Sequence, residues 1–95
     1  NAQKVVFAKW LYGQADIFLL DEPSRGVDVG ARADIIQIIR RLADEGRAVL
    51  IVASEYEELL GACDRILVLR RGRITAERLA VETDLHELTA LASGL

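Results

Sequence analysis

A chain of 95 residues with a net charge of −3 is sized for one small domain, near the lower end of what buries a sufficient core. Its 52% hydrophobic content rests on Val, Ile, Leu and Ala rather than on aromatics, as strands sandwiched between helices require. The acidic balance excludes a broad electrostatic attraction to nucleic acid or anionic lipid, and a single cysteine, Cys63, excludes an internal disulfide. No apolar run approaches the ~20 residues of a membrane span. No charged n-region with an apolar h-region opens the chain, so a reducing cytosolic setting is expected. Asn1-Ala2-Gln3-Lys4 has no initiator Met and runs straight into helix-like sequence, which leads us to expect an excised piece of a longer protein.

In chain order, Val5, Val6, Phe7, Ala8, Trp10 and Leu11 predict a helix with a wide apolar face, stopped at Gly13. Asp16 to Leu20 predicts a buried strand, ended by the sole proline, Pro23. Ser24 to Asp28 is a loop in which Gly26 is free to take positive φ. Ile35, Ile36, Ile38, Ile39, Leu42 and Ala43 then recur at helical spacing, with Asp28 as candidate cap and Gly46 as the break. Ala48 to Ala53 predicts a second buried strand, and Glu55 to Gly61 a short acidic helix. Ile66 to Leu69 and Arg73 to Ala76 flank Arg71-Gly72, which predicts an antiparallel hairpin. Thr83 is the expected cap of a last helix along Leu85, Leu88 and Leu91, closed by Gly94. Alternating helices and strands predict a parallel α/β sheet.

The chemistry concentrates at Asp21-Glu22. A strand delivering two adjacent carboxylates to a sheet edge places them where open α/β sheets bind ligands. One carboxylate there can hold a magnesium ion, and the other can orient or deprotonate a water. The plain alternative is a capped strand end whose acids satisfy nearby amides. The other reactive residue types have simpler readings. His86 is a solvated helical position and Cys63 a small buried apolar residue. Arg70, Arg71 and Arg73 form a solvated hairpin tip, and Glu55, Glu57 and Glu58 the wet face of a short helix.

Asp21-Glu22-Pro23-Ser24-Arg25-Gly26-Val27-Asp28 resembles the Walker B and D-loop of an ABC-type ATPase. Asn1 to Lys4 resembles the tail of that family's signature, and Asp64 to Leu69 with Gly72-Arg73-Ile74 the strand pair after its switch region. Residues 25 to 31, with Ser54-Glu55 and Glu57-Glu58-Leu59, resemble the second cassette of monosaccharide importers, with a nucleoside importer cassette also similar. The resemblance implies a partial P-loop NTPase core: a mostly parallel sheet with flanking helices, then a hairpin and a helical tail over 78–95. It implies that Asp21 holds Mg²⁺ through water and that Glu22 activates the water attacking ATP. Asp28 would face a second cassette, Ser54 would stand at the switch position, and Asn1 would be a remnant of the signature loop.

The implied partners are membrane-spanning permease subunits and, indirectly, a periplasmic sugar-binding protein, at the cytoplasmic face of the membrane. A catalytically silent cassette and a soluble ABC-type ATPase outside transport are the rival readings.

Two positions depart from the family pattern. Ser54 stands where the family has a histidine, and a hydroxyl cannot carry an imidazolium's charge. Ala2 stands where the family usually has glutamine. No Gly-rich loop followed by Lys-Ser or Lys-Thr occurs in the chain, so the 95 residues alone are expected neither to bind ATP usefully nor to hydrolyse it. The resemblance also implies a missing strand between 48–53 and 66–69. The chain is therefore expected to close its sheet differently or to self-associate through the open edge.

Overall fold

Ile35, Ile39 and Leu42 lie three and four residues apart, so one stripe of a helix collects them. In the computed structural model, which describes residues 15–94, all three are buried to 1% exposure or less. The expected helix over residues 5–11 lies outside the described residues, as do Asn1 and Ala2. The chain divides into two units, residues 1–54 and 55–95.

In the first unit, β1 (Ile17–Asp21) pairs in parallel with β2 (Ala48–Val52), in a register running from Ile17 opposite Ala48 to Asp21 opposite Val52. Parallel strands need a long crossover, supplied here by α1 (Val29–Asp44). The Asp28 carboxylate caps α1, its Oδ1 accepting from Ala31 N–H at 2.7 Å. Past the helix, Gly46 takes φ +88 and Arg47 N–H donates to Leu42 O, turning the chain into β2. Phe18 is buried, and the Arg47 guanidinium lies over its ring at 5.9 Å from the centroid.

Burial of both sheet faces, expected from the unbroken apolar runs, is corrected by the structure. Period-two alternation puts Ile17, Leu19, Leu50 and Val52 on the face opposite Phe18, and all four are 59–74% exposed. A two-sided apolar strand forms, but among the described residues only one of its sides is covered.

In the second unit, α2 (Tyr56–Ala62) precedes β3 (Arg65–Arg70) and β4 (Arg73–Leu79), an antiparallel hairpin. Arg71 and Gly72 both take positive φ, +51 and +78, the type I′ geometry that matches strand twist. The register shifts between Val68 and Leu69, leaving Thr75 as a bulge whose hydroxyl donates to Val68 O at 3.4 Å. Ile66, Val68 and Leu88 of α3 (Leu85–Ser93) form the buried centre, with Tyr56, Leu59 and Leu91 packed against it. A 3₁₀ turn, Ala80–Glu82, links β4 to α3.

Three local readings change in this unit. The cap of α3 is Asp84, which accepts from Glu87 N–H at 2.8 Å, and not Thr83. Thr83 sits one residue outside and donates instead to the Glu87 carboxylate at 2.5 Å. Glu58 is 2% exposed rather than on a wet face, because it shares the inward stripe of α2 with Ala62. The second hairpin strand continues three residues beyond Ala76, to Leu79. At the far end of α3, Gly94 takes φ +82, and a Cβ there would lie 2.5 Å from the Arg70 guanidinium.

Among the described residues β2 pairs only with β1, and β3 only with β4. The fold class is thus a small mixed α/β chain with one parallel pair and one hairpin. Truncating Leu88 to Ala should cost about 2–5 kcal/mol in urea unfolding. Val81→Ala, at a residue 93% exposed, should stay within about 0.5 kcal/mol of the parent.

Candidate functional site

The β1–β2 ladder runs one rung past the strand. Glu22 N–H donates to Val52 O at 2.7 Å, so Asp21 is the last strand residue and Glu22 the first beyond it at the carboxyl end of the sheet. Glu22 then takes φ +50, a left-handed conformation that turns the chain out of the extended path. Pro23 has no N–H to continue the ladder. Arg25 N–H donates to Glu22 O at 3.1 Å and Val27 N–H to Ser24 O at 3.3 Å, two successive turns that carry the chain to Asp28. Pro23 and Ser24 are buried, and Gly26 at φ +78 completes the second turn. The two acids therefore stand on a backbone anchored on both sides.

Their surroundings differ. Asp21 is exposed, on the bare face with Leu19, and makes no ion pair among the described residues. The Glu22 side chain is 15% exposed, with Arg25 Nη2 3.4 Å from its Oε1. Arg25 is the contributor that sequence reading passed over. The signal was available, since an acid and a base three residues apart across a Pro-containing turn are brought face to face.

Asp28 is placed at the start of α1 and spends one carboxylate oxygen on the helix cap. Ser54 lies two residues beyond β2, past the Val52 that opposes Asp21, and is exposed. Asn1 lies outside the described residues. His86 is exposed on α3, as expected, whereas Cys63, expected to be buried, is only half-buried against the core of the second unit. Arg71 and Arg73 are exposed at the hairpin tip, whereas Arg70 is half-buried.

Among the described residues no group of three His, Cys, Asp or Glu could chelate a metal by itself. Asp21 offers one exposed carboxylate, a hard-oxygen donor of the kind magnesium takes. Magnesium prefers hard oxygens, keeps several waters, and is commonly held by one or two carboxylates together with substrate phosphates.

Comparison with known proteins finds relatives along the whole chain. A ribose import ATP-binding protein of Chelativorans sp. (strain BNC1) is 57% identical over all 95 residues. An L-arabinose transport ATP-binding protein of Geobacillus stearothermophilus is 54% identical over 81% of the chain. A galactose/methyl galactoside import ATP-binding protein of Clostridium perfringens is 48% identical over 98% of it. The chain is homologous to one stretch of the sugar-import ATP-binding proteins. It spans 15–19% of the length of these three relatives. No family model matches it.

The family's segment here is an acid-bearing strand end, with Asp28 fixing where the next helix begins. Replacing Asp28 with Ala should cost about 0.5–2 kcal/mol by urea unfolding, while Asn, which retains the acceptor oxygen, should lose far less. Equal losses for both would mean that the cap is not what Asp28 contributes to stability.

Proposed function

We propose that this segment supplies the water-activating edge of an ATP-hydrolysis site in the ATP-binding subunit of a bacterial importer of simple sugars. The observation that carries the reading is the Glu22–Val52 hydrogen bond, which puts Asp21 on the last rung and Glu22 just past it at the carboxyl end of a parallel strand pair. The names of the relatives, import ATP-binding proteins for ribose, arabinose and galactose, support the same reading.

Each residue then has a distinct task. Glu22 accepts a hydrogen bond or a proton from the attacking water. Asp21, exposed and unencumbered by an ion pair among the described residues, holds Mg²⁺ through water. Bound Mg-ATP supplies the electrophilic γ-phosphate. Asp28 faces a second cassette with its remaining oxygen. Ser54 offers a neutral hydroxyl at the switch position, and Asn1 ends the signature loop.

The remaining parts are supplied by sequence beyond this segment: the phosphate cradle, the membrane-spanning subunits and, through them, a periplasmic sugar-binding protein. The setting is peripheral, on the cytoplasmic face of the membrane, and no described helix is long and apolar enough to cross one. The stretch from residue 78 onward begins within β4 and contributes Leu88 to the core of the second unit, so it is an integral part of that unit rather than a separate tail. When the segment stands alone, the open edge of β2 gives it a route to self-association.

In the intact subunit, Glu22→Gln should lower the steady-state ATPase rate by about 10²–10⁴-fold, the span of general base catalysis. An unchanged rate would mean that this site performs no turnover and that the cassette is structural or regulatory. Calorimetry on the 95 residues with Mg-ATP should detect no micromolar binding. Micromolar affinity would place a phosphate-binding element within these residues.

A further inference from the structure

Glu22 and Arg25 do not meet as two long side chains wandering over a surface. The backbone sets their encounter, because the Arg25 N–H to Glu22 O bond closes a turn whose two central residues, Pro23 and Ser24, are buried. The partners are unequally exposed, 15% for the Glu22 side chain and 74% for that of Arg25. The acid is thus set into the turn, and the guanidinium reaches back to it from solvent. Glu22 also holds φ +50, a conformation that non-glycine residues keep only where their surroundings impose it.

We propose that Arg25 is a positioning residue for Glu22: its guanidinium fixes the direction of the carboxylate across the turn, so that one orientation faces the attacking water. The proposal rests on the reading of Glu22 as the water-activating group. A base aligned by a third group is a general arrangement in hydrolytic sites. An ionised carboxylate has about four lone-pair sites, so the 3.4 Å approach of Arg25 to Oε1 leaves others for water. Exposed ion pairs contribute little, which bounds the effect: loss of Arg25 costs about two- to fivefold in kcat, well short of the loss from removing the acid. Lysine keeps the charge without the planar fork and restores part of the rate.

The test is steady-state ATPase kinetics on the intact subunit carrying Arg25→Ala, Arg25→Lys, Glu22→Gln, and Arg25→Ala combined with Glu22→Gln. The expected result is a two- to fivefold lower kcat for Arg25→Ala at unchanged KM for ATP, with an intermediate value for Arg25→Lys. In the Glu22→Gln background, Arg25→Ala should change the residual rate no further. Wild-type kcat in Arg25→Ala overturns the proposal. So does a loss confined to KM, or the same fold-loss repeated in the Glu22→Gln background, which would place the action of Arg25 elsewhere. A Glu22→Gln subunit with the wild-type rate overturns the water-activating reading itself, and the proposal with it.

Discussion

The register of β1 against β2 is the constraint from which the rest of the first unit follows. With Asp21 opposite Val52 and Glu22 bonded to the Val52 carbonyl, the acids occupy the last rungs of the ladder rather than its middle. Side chains alternate along a strand, so a slip of one residue would carry Asp21 to the covered face and Phe18 to solvent. Burial of Phe18 on one side of the sheet, and of Ile35, Ile39 and Leu42 along α1, makes that slip costly. The hydrophobic pattern therefore fixes where the carboxylates stand, although none of those apolar residues touches chemistry.

Between strand and helix, two buried turn residues and one cap convert that register into a site. Pro23 and Ser24 anchor the bend, and Asp28 fixes the first turn of α1. The intervening loop has little freedom left, which is why an exposed arginine meets a mostly buried glutamate at 3.4 Å. A rigid platform of this kind suits a reaction in which the protein supplies position and charge rather than covalent chemistry.

Much of this was legible from residue order. The helical spacing of the isoleucines, the Asp28 cap, the Arg71-Gly72 turn and the acid pair at a strand end are local signals with local causes, and they appear where the pattern puts them. The misreadings have equally physical origins. The apolar runs of β1 and β2 record that both faces are fit for burial, and nothing in a run says which face is covered within these residues. Glu58 is an acid in an acidic stretch, and only the phase of α2 puts it beside Ala62 on the inward side. Thr83 and Asp84 are both good caps, and the backbone chose the one adjacent to the first helical turn. Arg25 carries a charge whose partner becomes visible only once the Pro23 turn is closed.

The acids stand at the carboxyl end of a parallel strand pair, and the proposed function assigns them the water and metal side of an ATP-hydrolysis site. A crystal structure of the intact subunit with Mg²⁺ and a non-hydrolysable ATP analogue tests this most directly. The account predicts Asp21 on a metal-bound water and a Glu22 oxygen within hydrogen-bond reach of the water in line with the γ-phosphate. Both carboxylates turned away from the triphosphate, engaged only with neighbouring backbone, would contradict it.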